Sequence, residues 1–127
     1  MDKKKILIVD DEPDVLALMC IRLEKYGYEI ITAINGKDAF DRIVKDKPDL
    51  VLLDLIIPII YGTEVCRRVK NDEDLKHIPI ILYTAHGEVM TAEKAKSFGA
   101  DGYIAKPFEA EDLIAKINNT LAESAVL

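Results

Sequence analysis

The chain has no tryptophan, only two cysteines and two histidines among 127 residues, and no excess of basic charge. Cys20 and Cys66 form no CxxC pair and no His cluster accompanies them, which excludes a zinc site and a disulfide framework; both read as small buried hydrophobes on helices. No apolar run approaches the ~18 residues of a membrane span. Met1 to Lys5 is followed by only four apolar residues before Asp10, so no secretory leader is read either. The expected location is cytoplasmic, without a membrane partner, and the sequon Asn118-Asn119-Thr120 carries no weight. With 17 Lys and Arg against 23 Asp and Glu, net charge −6, the electrostatic footprint of phosphate-backbone binding is missing. Direct nucleic-acid binding by this domain is not expected.

Half of the residues are hydrophobic and 31% are charged, as in a globular chain long enough to bury its own core. Four short apolar runs rich in β-branched residues stand out: Ile6-Leu7-Ile8-Val9, Glu29-Ile30-Ile31-Thr32-Ala33, Leu50-Val51-Leu52-Leu53 and Ile80-Ile81-Leu82-Tyr83. Gly102-Tyr103-Ile104-Ala105 is a weaker fifth. Each is bounded by charge, Gly or Pro, as buried parallel strands are. Between and after them apolar residues recur at helical spacing: Val15, Leu16, Met19, Leu23 and Tyr26; Ala39, Ile43 and Val44; Val65, Cys66 and Val69; Val89, Ala92 and Ala95; and Leu113, Ile114, Ile117 and Leu121. Pro13 suits a first helical turn, Gly27 and Gly99 suit helix ends, and Pro48 and Pro79 precede strands. The pattern predicts an α/β fold of type (βα)5, a parallel five-stranded sheet with right-handed crossovers and helices on both faces.

Open parallel sheets bind ligands beyond the carboxyl ends of their strands. The residues there are Asp10 and Asp11 after the first strand, Asp54 after the third, Thr84 and Ala85 after the fourth, and Lys106-Pro107 after the fifth. Taken singly, each has an ordinary explanation as a helix cap, strand end or loop residue. Together they bring three carboxylates, a hydroxyl and an ammonium to one rim, and clustered carboxylates need a positive partner. Lys106 and a divalent cation are the candidates, and hard oxygen ligands without His or Cys suit Mg2+. A carboxylate at such a site can take a phosphoryl group as an aspartyl phosphate, and Asp54 is the candidate nucleophile.

With these residues in place, the sequence resembles the receiver domain of two-component response regulators, from Lys4 to about Leu121. The resemblance rests on Ile8-Val9-Asp10-Asp11-Glu12-Pro13, on Leu53-Asp54-Leu55 with Pro58 and Gly62, on Thr84-Ala85, and on Gly99-Ala100-Asp101-Gly102-Tyr103-Ile104-Ala105-Lys106-Pro107-Phe108. It implies a doubly wound, flavodoxin-like strand order 2-1-3-4-5 and a receiver domain over residues 1–122, with 123–127 a tail or the start of a linker. Asp54 is the implied phosphoacceptor. Asp10 and Asp11 would organise Mg2+ or Mn2+, with Asp11 the direct ligand and Asp54 and the Ile56 carbonyl completing the set. Lys106 would pair with the phosphoryl group, and Thr84 and Tyr103 would be the switch residues. A cis Lys106-Pro107 peptide is implied as well. The phosphoryl donor would be a histidine kinase or a histidine phosphotransfer protein. The switched surface, formed by the fourth helix, fifth strand and fifth helix, would control an output domain, another partner or a homodimer. Such a chain is a signalling switch and not an enzyme beyond its own phosphorylation and autodephosphorylation.

The departure from the family pattern follows Asp54. Where the family has a small loop that often contains Gly or Asp, this chain has Ile56-Ile57-Pro58-Ile59-Ile60-Tyr61. Two readings stand side by side: these side chains pack back on the third helix, or they form an exposed apolar patch for a partner or a second copy. Two other functions on the same architecture are a flavodoxin-like electron carrier and an aspartate-nucleophile phosphatase. Acids in place of a phosphate-cradling loop, together with few aromatics, count against the first. Ile56, two residues after Asp54 where that family has its second acid, counts against the other.

Overall fold

The computed structural model describes residues 3–84, 92–106 and 108–125, and of Thr84, Ala92 and Ala125 the backbone alone. Strands and helices alternate as β1 (Lys5–Val9), α1 (Pro13–Glu24), β2 (Glu29–Ala33), α2 (Gly36–Asp46), β3 (Leu50–Asp54), α3 (Gly62–Lys70), β4 (Ile80–Thr84), α4 (Ala92–Ser97), β5 (Gly102–Ala105) and α5 (Ala110–Ala125). The strands form one sheet in the order β2-β1-β3-β4-β5, and every neighbouring pair is parallel. From β1 the chain winds outward first to β2 and then, through β3, to the other edge. The crevice at this reversal opens above the carboxyl ends of β1 and β3.

Alternation within each strand divides the core in two. Leu7, Val9, Val51, Leu53, Ile80 and Leu82 face Ala39 and Ile43 of α2, Val65 and Val69 of α3 and Ala95 of α4. Ile6, Ile8, Leu50, Leu52, Ile81 and Tyr83 face Leu16, Met19 and Leu23 of α1 and Leu113, Ile114 and Ile117 of α5. Residues 6–9 and 50–53 are fully buried, which is why their runs are continuously apolar.

Helix ends follow local chemistry. Pro13 occupies the first turn of α1, and Asn35 caps α2 by accepting the Asp38 N–H at 2.8 Å. Gly27 and Gly99 both adopt φ +89° where α1 and α4 have ended. Three burial expectations are corrected. Tyr26 lies beyond the end of α1 and is exposed, so it does not join that helix's buried face. Val44 is exposed because α2 buries a narrow stripe of Gly36, Ala39 and Ile43. Cys66 is buried, but Cys20 is only half-buried, on the flank of α1. Val89 and the cis peptide expected before Pro107 lie outside the described residues, and α5 continues through Ala125, past residue 122.

Candidate functional site at the carboxyl ends of β1, β3 and β5

The register that pairs Val9 with Leu53 makes Asp10 and Asp54 the next pair along the two central strands. Both are buried polar residues, Asp10 with no exposed surface and Asp54 at 6%. A buried carboxylate needs compensating donors, and both have them. Lys106, the residue after β5, places its Nζ 3.2 Å from Asp10 Oδ2 and 3.4 Å from Asp54 Oδ2. Asp10 Oδ1 accepts the Glu12 N–H at 2.9 Å, and Asp54 Oδ1 accepts the Ile56 N–H at 3.2 Å. One ammonium therefore bridges two carboxylates from different strands.

Burial pushes the Asp54 carboxyl above its ordinary value. The Lys106 charge and the Ile56 N–H pull it down, the charge of Asp10 adds to the rise, and the net direction is upward. Asp11 is exposed next to Asp10, and carboxylate oxygens of Asp10, Asp11 and Glu12 lie within 4.8 Å of one another. This hard-oxygen group fits Mg2+ or Mn2+. Among the described residues no side-chain hydrogen bond holds Asp11, whereas both oxygens of Asp10 are engaged.

Of the residues singled out in the sequence, the fold brings together Asp10, Asp11, Asp54, Ile56 and Lys106. Thr84 ends β4 opposite Ala105 of β5, next to the site by backbone position; its side chain and Ala85 lie outside the described residues. Tyr103 is half-buried against the core, and the Lys116 ammonium stands 5.9 Å from its ring centroid. Sequence reasoning missed two neighbours. Glu12 stands in the motif after the first strand, where the sequence assigns it no role of its own. Tyr83 reads as an ordinary strand residue, and its one signal is a polar-tipped aromatic ending the aliphatic run Ile80-Ile81-Leu82.

The loop from Leu55 to Tyr61 divides between its two readings. Ile57 is buried and Ile60 packs against the core, while Ile56, Ile59 and Tyr61 are 56%, 74% and 66% exposed. The loop is held at its middle, where the Gly36 N–H donates to the Pro58 carbonyl at 3.1 Å, and closed across its ends, where the Gly62 N–H donates to the Leu55 carbonyl at 3.0 Å. Gly62 lies so close to β3 that a Cβ there would stand 2.3 Å from the Asp54 carbonyl oxygen. Ile59 adopts φ +72°, a strained conformation for a β-branched residue.

A five-stranded 2-1-3-4-5 sheet with an acidic pocket closed by a lysine defines a class. Residues 6–118 match the model of the response regulator receiver domain, and the chain belongs to that family. It is 44% identical over 118 residues to the phosphate regulon transcriptional regulatory protein PhoB of Pseudomonas aeruginosa, a match covering 93% of this chain and 52% of that protein. It is 36% identical over 123 residues to the alkaline phosphatase synthesis transcriptional regulatory protein PhoP of Bacillus subtilis, covering 97% and 50%. The chain thus spans about half the length of these curated relatives. Among solved structures it is similar to a response regulator receiver domain protein from Clostridium thermocellum, with TM-score 0.86, 31% identity and coverage of 94% and 95%. It is also similar to the chemotaxis response regulator CheY4 of Vibrio cholerae, with TM-score 0.85, 28% identity and coverage of 94% and 99%. The chain is a phosphoacceptor switch of this family, and neither the electron carrier nor the phosphatase reading is supported. No described helix is long and apolar enough to cross a membrane.

Proposed function

We propose that Asp54 is the phosphoacceptor of this receiver and that Lys106 stabilises the phosphoryl group it receives. The observation that carries this reading is the Lys106 ammonium, shared between Asp10 and Asp54 over the switch point of the sheet. One Asp54 carboxylate oxygen attacks the phosphorus of a phosphohistidine; the new O–P bond forms as the P–N bond breaks, and the departing imidazole takes a proton. Lys106 already stands 3.4 Å from Asp54 Oδ2, and it turns from Asp10 to the transferred oxygens as negative charge accumulates on them. The Ile56 N–H fixes the orientation of the Asp54 carboxylate.

Asp10, Asp11 and Asp54, with the Ile56 carbonyl, are the proposed holders of Mg2+ or Mn2+; of the β1 pair, exposed Asp11 is the proposed direct ligand, since both oxygens of buried Asp10 are engaged. When bound, the ion neutralises negative charge on the transferred oxygens. Thr84 and Tyr103 are the proposed switch residues, turning the α4–β5–α5 face toward an output domain, another partner or a second copy. The donor is a histidine kinase or histidine phosphotransfer protein, and the proposed receiver domain spans residues 1–122, its last helix running on to Ala125. The relatives' names make them transcriptional regulators; for this chain we propose that DNA contact, where it occurs in the pathway, is not made by this acidic domain.

Phosphorylation by acetyl phosphate with and without Mg2+ tests the reading, together with calorimetric Mg2+ titration of Asp11→Ala and Asp10→Ala. The expected result is metal-dependent labelling and a larger loss of metal affinity at Asp11. Metal-independent labelling, or a larger loss at Asp10, overturns the ligand assignment.

A further inference from the structure

Tyr83 has no exposed surface and stands in β4 on the core face shared with Ile81, where an aliphatic side chain would satisfy packing. Burying a phenol is tolerated when its hydroxyl finds a partner, and one acceptor is enough. Here there are two: the Val9 carbonyl at 2.7 Å and Asp10 Oδ2 at 2.9 Å. A hydroxyl has a single proton to donate, so the two acceptors compete for it. The ring does a second thing that packing does not require. It lies under the Lys106 ammonium, with Nζ 4.5 Å from the ring centroid. Tyr83 thus reaches from β4 across β3 to the end of β1 and touches both the lysine and the first carboxylate of the site.

We propose that Tyr83 is a positioning residue for phosphoryl acceptance, its ring face seating the Lys106 ammonium and its hydroxyl holding the Asp10 carboxylate. The inference rests on the reading of Asp54 as phosphoacceptor. Lys106 is divided between Asp10 Oδ2 and Asp54 Oδ2 at nearly equal distances. When it turns to a phosphoryl oxygen on Asp54, the buried Asp10 loses its charged partner, and the Tyr83 hydroxyl is the donor that remains on the same oxygen. Without that hydroxyl, Asp10 retains the ammonium more strongly and the phosphoryl group receives less of it. Without the ring, the ammonium also loses the π face that fixes its height above the sheet.

The test uses beryllofluoride, a phosphoryl mimic, at saturating Mg2+, with calorimetric Mg2+ affinity and urea stability measured separately. Tyr83→Phe keeps the ring and loses the hydroxyl; Tyr83→Leu loses both. Beryllofluoride affinity is expected to fall about tenfold in Tyr83→Phe and about thirtyfold in Tyr83→Leu, the scale of losing a hydrogen bond to a charged group and then a cation–π contact. Mg2+ affinity is expected to stay within about twofold of wild type, because, of the proposed holders, Tyr83 touches only Asp10, which is not the direct ligand of the β1 pair. A parallel loss of Mg2+ affinity would show that Tyr83 only supports the local fold, and overturns the proposal. So does beryllofluoride affinity unchanged in both variants while wild type binds the mimic. Failure of wild type itself to bind beryllofluoride would overturn the Asp54 reading beneath it.

Discussion

The carbonyl oxygen of Ile60 stands 2.0 Å from the place a Cβ would occupy on Gly36, so the loop after β3 and the start of α2 meet backbone to backbone. Only glycine permits this approach. Gly36→Ala forces one of two backbone segments to move and is expected to cost about 1–3 kcal/mol, the range for overpacking a tight site. Urea unfolding measures it. Wild-type stability in this variant would mean that the loop shifts freely.

The same loop yields opposite forecasts for neighbouring isoleucines. Ile59 is largely exposed and strained at φ +72°, so Ile59→Gly removes strain and loses little packing. Its stability is expected to rise by about 1 kcal/mol, strain relief being partly offset by the freer unfolded chain. Ile60 packs against the core, so Ile60→Ser is expected to cost about 2 kcal/mol or more. Thermal and urea unfolding of the two single variants decides the matter, and similar shifts in both would contradict the division of the loop.

Much of this was legible in the sequence because burial and function leave different marks. Two-sided burial made the runs at 6–9 and 50–53 continuously apolar, and the charged residues just beyond them had no structural reason to coincide at corresponding strand ends. What could not be read was orientation within a mixed segment. Nothing in Ile56-Ile57-Pro58-Ile59-Ile60-Tyr61 tells which side chains turn inward, because an irregular loop has no period to project. Tyr26 and Val44 were misplaced for a related reason: a helical spacing fixes a face but neither its width nor its end. The role of Tyr83 depends on reach across β3, a distance set by strand order and not by neighbours in the chain.

Thiol chemistry offers an independent check of the packing. Burial pushes the Cys66 thiol up to about 12, with Lys70 opposing and Asp101 adding to the rise. Its thiolate fraction near pH 8 is then negligible, and the side chain is enclosed. A disulfide reagent such as Ellman's is expected to modify Cys20 in the native protein and Cys66 only on unfolding. Rapid modification of Cys66 in folded protein would contradict its burial on α3.

The upward displacement of Asp54 makes a prediction about pH. A carboxyl whose folded pKa exceeds its unfolded value holds its proton more tightly in the native state, so ionising it costs stability as pH rises through that interval. Above the interval the cost is complete; below the unfolded value it is gone. Asp54→Asn removes the ionisation, so it is expected to be more stable than wild type near neutral pH, with the gap closing as pH falls into the ordinary carboxylate range. Unfolding midpoints across pH for both proteins test this, and a gap that widens on acidification has the wrong sign.

Phosphoryl transfer to Asp54, as proposed, leaves a covalent mark that can be mapped. It is tested most directly by incubating wild type and Asp54→Asn with radiolabelled acetyl phosphate and Mg2+, then reducing the acyl phosphate with borohydride and locating the modified residue by peptide mass spectrometry. The amide cannot act as nucleophile, so wild type is expected to be labelled at Asp54 alone and folded Asp54→Asn to carry no label. Wild-type labelling of Asp54→Asn, or a modification mapped to Asp10 or Asp11, would contradict it.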